Sequence, residues 1–134
     1  MTASSHQMRR FYFTRIASAM IAAAFWLAVR GMSNGGRVVL SRGEVVAIGG
    51  SFRMNEILDA TGCELVEIGT TNRTSLEDYR QAMEPGTTVV KVHRSNFTIE
   101  GFTEDVELAE LAELCRGRGC PLVYDAGSGA LHPY

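Results

Sequence analysis

Beyond Gly31 the chain repeats one alternation: a short aliphatic or β-branched run, a polar turn, then a longer stretch with helical spacing. The apolar runs are Arg37 to Leu40, Glu64 to Ile68, Thr87 to His93 and Pro121 to Tyr124. Near-continuous apolar strands separated by helices predict βαβ units, with a mostly parallel sheet covered on both faces. Between the second and third runs, Thr74-Ser75-Leu76-Glu77 predicts a capping box in which the Thr74 hydroxyl and the Glu77 carboxylate satisfy the first free amides of a helix. That helix should stop near Pro85-Gly86. Between the third and fourth runs, Val106, Leu108, Leu111 and Leu114 form a stripe with Glu107, Glu110 and Glu113 facing water. Gly117 and Gly119 close this helix, and Arg116 and Arg118 suit its negative end.

Ahead of the alternation lies Ile16 to Val29, IASAMIAAAFWLAV, with Arg9, Arg10 and Arg15 before it. It has the outline of a signal-peptide core. It is shorter than the ~20 apolar residues that span a bilayer, and an alanine-rich helix apolar all round fits a buried position equally well. A cytoplasmic protein without a membrane segment is expected.

Composition narrows this further. The 134 residues are 46% hydrophobic and 21% charged, ordinary globular usage with room for one domain and hardly two. Thirteen basic against 15 acidic side chains leave a net charge of -2, so any RNA contact falls to a local patch. Cys63, Cys115 and Cys120 include no CxxC pair, and His6, His93 and His132 complete no zinc spacing, so reduced thiols and no metal are expected.

In an open parallel sheet, ligands bind beyond the carboxyl ends of the strands. Here those positions are polar: Ser41-Arg42-Gly43-Glu44, Gly69-Thr70-Thr71-Asn72-Arg73, His93-Arg94-Ser95-Asn96 and Asp125-Ala126-Gly127-Ser128-Gly129. Such a rim offers arginines for phosphate or carboxylate, an amide and hydroxyls for orientation, and one acid at a strand end. Asp125 follows an apolar run and precedes a glycine-serine turn that lets a ligand come close. A partly buried carboxylate needs a cationic partner, either a ligand or an arginine such as Arg42 or Arg73. No phosphate-binding G-x-x-x-x-G-K-[ST], H-E-x-x-H or nucleophile elbow occurs.

The segments VVLSRGEVVAIGGSFRMNEIL, GTTNRTSLEDYR, KVHRSNFTIEGFT and VYDAGSGAL, in that order and spacing, resemble the bacterial selenocysteine synthases, the L-seryl-tRNA(Sec) selenium transferases. The resemblance runs from about Arg37 to Leu131. It implies the large domain of a fold type I pyridoxal-phosphate enzyme, α/β with a mostly parallel sheet, with pyridoxal 5'-phosphate at the carboxyl edge and a homo-oligomeric assembly. It further implies conversion of seryl-tRNA(Sec) to selenocysteinyl-tRNA(Sec) with selenophosphate. Asp125 would pair with the pyridine nitrogen and keep it charged. Asn96 would approach the ring hydroxyl, with Ser95 and Ser128 as further cofactor contacts. His93 would pack or transfer protons, and Arg42, Glu44, Asn72 and Arg73 would serve substrate or phosphate.

Two departures qualify the resemblance. The family's cofactor-bearing lysine is expected past the DxGSG motif, beyond Tyr134, and Lys91, the sole lysine, falls inside a strand as a structural residue. Residues 1–36 keep the alanine-rich helix of the family but not its asparagine-rich approach, so they form an atypical segment ahead of a partial large domain at 37–134. Two rival readings follow: a related pyridoxal-phosphate lyase or aminotransferase acting on a small amino acid or amino sugar, and a non-catalytic remnant lacking the lysine.

Overall fold

The computed structural model describes the backbone of residues 5–48, 52–95 and 97–127, and side chains over those ranges from residue 19 onward apart from that of residue 48. The α/β fold expected from the alternation is the one observed. Four parallel strands, β1 (Arg37–Ser41), β4 (Glu64–Ile68), β5 (Thr88–Val92) and β6 (Leu122–Asp125), lie in the order β4-β1-β5-β6. Each expected run forms a strand within a residue or so of its predicted ends. The register is continuous across the sheet: Val39 pairs with Val66 and with Val89, and Val90 with Val123. β5 lies between two neighbours, and all its residues are buried, as a central parallel strand requires.

Alternation along the strands divides the core. Val38, Leu40, Val90, Val92 and Val123 point to one face, where they meet Phe25 and Val29 of helix α1 (Ser5–Ser33). Met54 and Leu58 of α2 (Met54–Asp59) join them there. Val39 and Val89 point to the other face, against Tyr79 of α3 (Leu76–Ala82) and Leu111 and Cys115 of α4 (Leu108–Arg118). α4 stops where glycine was expected to stop it, because Gly119 takes the left-handed conformation at φ 65° that closes a helix. α1 extends well beyond the apolar stretch that announced it. No helix among the described residues is long and apolar enough to cross a membrane.

Two local features differ from expectation. The capping box of α3 is shifted one residue: Ser75 is the N-cap, its Oγ accepts from the Asp78 N–H at 3.3 Å, and Asp78 Oδ2 accepts from the Ser75 N–H at 2.7 Å. Thr74 is unavailable for that role because its hydroxyl, fully inside, bonds Ser41 Oγ at 2.8 Å and joins the ends of β1 and β4. The stretch after β1 also forms a small antiparallel ribbon, β2 (Ala47–Ile48) with β3 (Phe52–Arg53), before α2. Its two-residue strands are too short to leave a periodic signal.

Tyr79 is fully buried, and its hydroxyl has no hydrogen-bond partner among the described residues. Burial pushes that hydroxyl's pKa upward, with the Glu44 and Asp105 charges adding to the effect. An unsatisfied buried hydroxyl costs stability while the ring supplies packing. Tyr79→Phe is therefore expected to hold or raise stability, by up to ~1 kcal/mol in urea denaturation. Leu111→Ala, by contrast, should lower it by about 3 kcal/mol.

Candidate functional site

The four strand ends converge on one rim, and Asp125 is its best-defined chemical group. It closes β6 in register with Val92, and its backbone carbonyl accepts from the His93 N–H at 2.8 Å. Two residues after Val123, its side chain leaves the sheet on the α1 face. Only 8% of the residue is exposed. Oδ1 accepts from the Gly127 N–H at 2.9 Å, which fixes the carboxylate's rotation. Oδ2 is buried and has no partner among the described residues. A carboxylate oxygen shut away from water demands a donor, and none of the described residues supplies one.

Gly127 makes the approach possible. Its φ of 54° is left-handed, and a Cβ there would stand 3.0 Å from Ser95 Oγ and 3.5 Å from the His93 carbonyl. The turn after β6 and the segment after β5 thus touch, bringing Asp125, His93 and Ser95 into one neighbourhood. His93 and Ser95 are exposed there. Asn96 and Ser128 lie outside the described residues.

The remaining predicted residues occupy the adjoining loops. Arg42 bonds the Gly69 carbonyl at 3.2 Å and pairs with Glu67 at 3.6 Å. Arg73 pairs with Glu104 at 2.8 Å, and Asn72 Nδ2 donates to the Phe102 carbonyl at 2.5 Å. Neither arginine is the partner of Asp125, so that alternative is not the arrangement adopted. Glu44 is 1% exposed, with Oε1 on Lys91 Nζ at 2.9 Å and Oε2 accepting from the Val92 N–H at 2.8 Å. Both its oxygens are engaged inside the fold.

Lys91 therefore belongs to a charge network that the sequence did not reveal. Its ammonium also reaches Asp105 Oδ1 at 3.2 Å, and Arg94 bonds Asp105 Oδ2 at 2.8 Å. The legible signal was a lone lysine inside an otherwise apolar strand, which calls for a buried anion; which anion it meets is a matter of tertiary folding. Beside this network a cleft of about 330 Å³ opens among His93, Arg94, Phe97, Thr98 and Tyr124. Burial alone would lower the Lys91 pKa, but the Glu44 and Asp105 carboxylates outweigh it and hold the ammonium above its ordinary 10.5. Because the folded value is raised, the stabilisation is complete below about pH 10.5 and is lost as pH climbs through the folded value. Removing one partner strands the other, so Lys91→Met should cost about 3 kcal/mol at neutral pH in chemical denaturation. Adding Glu44→Gln should recover part of that loss.

Comparison with known proteins gives this rim a family. Over 111 residues the chain is 51% identical to the L-seryl-tRNA(Sec) selenium transferase of Haemophilus influenzae and 50% identical to that of Serratia proteamaculans, covering 82% of this chain and 24% of each relative. The Salmonella paratyphi B protein of the same name is 54% identical over 100 residues, covering 74% of this chain and 22% of its own. The chain thus spans about a quarter of the length of the curated relatives it matches. The solved structure of D-glucosaminate-6-phosphate ammonia-lyase superposes with a TM-score of 0.62 over 82% of this chain and 32% of that one, at 22% identity, a likeness of fold. The family model described as SelA, L-seryl-tRNA selenium transferase, matches residues 16–134, taking in the apolar half of α1 as well as the whole sheet. With that match and identities near one half, this chain belongs to the L-seryl-tRNA selenium transferase family.

Proposed function

We propose that this chain forms part of the cofactor-binding domain of a cytoplasmic, homo-oligomeric selenium transferase that uses pyridoxal 5'-phosphate and selenophosphate to convert seryl-tRNA(Sec) to selenocysteinyl-tRNA(Sec). The observation that carries the reading is the Asp125 carboxylate: buried, rotationally fixed by the Gly127 N–H, and left with one oxygen unpartnered among the described residues. A protonated pyridine nitrogen fits that oxygen, because it is a flat cationic donor that can enter between a glycine turn and a strand end. When bound, such a cofactor supplies an electron sink for the carbon that carries the substrate amino group.

The chain's own residues have separate tasks in this reading. Asp125 would hold the ring nitrogen through Oδ2, with its carboxylate oriented by the Gly127 N–H at Oδ1. Ser95 would contact the ring, and Asn96 and Ser128 are assigned to the cofactor by the family resemblance alone. His93, exposed at the end of β5, would pack on a ligand or move a proton. Arg42, Asn72 and Arg73 border the entrance, where their present partners are exposed carboxylates and carbonyls that an anionic substrate can displace. Glu44 is assigned to the framework rather than to the substrate, since both its oxygens are committed. Identity near one half to relatives named for seryl-tRNA(Sec) supports that substrate over a small amino acid or amino sugar.

The test is a chimera in which this chain's residues replace the matching 111-residue stretch of the Haemophilus influenzae relative. Formation of selenocysteinyl-tRNA(Sec) from seryl-tRNA(Sec) is expected, and Asp125→Ala in the chimera should lower turnover about 100-fold or more while leaving the melting temperature nearly unchanged. Undiminished turnover in that variant would remove Asp125 from the mechanism. A soluble chimera that eliminates from free amino acids but ignores the charged tRNA would favour the small-molecule reading.

A further inference from the structure

Asp105 belongs to no helix or strand, yet among the described residues it alone bonds both cations of the rim network. Oδ1 accepts from Lys91 Nζ at 3.2 Å and from the Val106 N–H at 2.9 Å, while Oδ2 accepts from Arg94 Nη2 at 2.8 Å. Arg94 continues the chain of contacts, with Nη1 3.5 Å from the Gly43 carbonyl. Charges therefore alternate from Glu44 through Lys91 and Asp105 to Arg94, and the chain of contacts returns to the residue beside Glu44.

We infer that Asp105 is a positioning residue for the cofactor site: by holding Arg94 against the loop after β1, it fixes His93 and Ser95 beside Asp125 and Gly127. The strand ladder ends at Val92, and among the described residues the one backbone bond that extends it is the His93 N–H to the Asp125 carbonyl. Arg94 is the next residue, and its side chain has two anchors, of which the Gly43 carbonyl is long and Asp105 is short and charged. Ser95 follows, with its Oγ 3.0 Å from where a Cβ on Gly127 would stand. A side chain fixed between two residues of a free segment limits how far either can drift. With Asp105 gone, Lys91 keeps Glu44, while Arg73–Glu104 and Asn72–Phe102 still hold the outer segment. The effect is thus confined to the stretch after β5.

The clamp stands on geometry alone, but its value to a cofactor rests on the function proposed above, so the two are tested separately. The first measurement is amide exchange in this chain without cofactor, comparing Asp105→Asn with the neighbouring control Glu104→Gln. Asparagine keeps the size of the side chain and can still cap Val106, so folding is preserved. Exchange at His93 and Gly127 is expected to speed up about tenfold in Asp105→Asn. Val89, whose N–H donates to Pro121 at 2.8 Å at the far end of the same strand pair, should not change, nor should any of these amides in Glu104→Gln. Unchanged exchange at His93 and Gly127, or an equal rise at Val89, overturns the inference.

The second measurement is pyridoxal phosphate affinity in the chimera, where Asp105→Asn should weaken binding about tenfold and Asp105→Glu should restore part of it. Faster local exchange with unaltered affinity also overturns the positioning role. A parent chimera that binds no pyridoxal phosphate would instead refute the proposed function, leaving the clamp to the exchange result.

Discussion

The carboxyl rim is organised around a lysine buried in the central strand. Lys91 on β5 is surrounded by apolar neighbours along its own strand, and a lone ammonium there would be untenable without a partner. Glu44 supplies it, and because Glu44 lies in the 3-10 turn immediately after β1, satisfying the lysine also fixes where that turn goes. Its second oxygen takes the Val92 N–H, so one carboxylate binds the side chain of one β5 residue and the backbone of the next. Burial pushes the Glu44 pKa up, opposed by Lys91 and by the Val92 N–H. The pair is consequently a device for placement more than a source of net stability.

From that placement the rest of the rim follows by short links. Ser41 caps the 3-10 turn through the Gly43 N–H and bonds Thr74, which fixes the loop after β4 to the end of β1. Gly43 is closely surrounded, since a Cβ there would stand 3.0 Å from the Thr71 carbonyl and 3.2 Å from Arg94 Nη1. Gly69, left-handed at φ 66°, would likewise drive a Cβ into Thr74. The loop after β1 thus packs closely on the loop after β4 at Gly43, while Gly69 lets the second loop fold tightly on its own Thr74. The polar residues predicted at the strand ends thus divide by depth: the buried ones hold loops to one another, and the exposed ones face the space above the sheet.

Much of this was legible before the fold was known, for an identifiable reason. Strand position and face depend on alternation and apolar runs, which are local, so β1, β4, β5 and β6 and the stripe of α4 could be read residue by residue. Asp125 could be singled out because an acid after Leu122-Val123-Tyr124 and before a glycine turn is conspicuous within a few residues. What escaped was long-range pairing. Glu44 looked like a rim ligand because it follows a strand; that its oxygens turn inward to a residue 47 positions away is set by the β1-β5 register. Asp105 carried no signal at all, being one acid among several before a helix. The capping box moved by one residue for the same cause, since Thr74 was claimed by Ser41 from another strand.

The sheet itself separates the two kinds of chemistry on the rim. Successive residues of a strand project to opposite faces, so Lys91 and Tyr124, adjacent in register, look toward α3 and α4, while Val92 and Asp125, also in register, look toward α1. The charged network and the solitary carboxylate are therefore one register position apart but on opposite sides of a hydrogen-bonded layer. That separation keeps Lys91 and Arg94 from neutralising Asp125, although two cations lie within three residues of its strand partner. Had the register slipped by one residue, Asp125 would have joined the network as a third carboxylate and its free oxygen would have found a lysine or arginine. An acid held back from nearby cations in this way, and fixed by a single backbone amide, keeps one buried oxygen without a partner among the described residues.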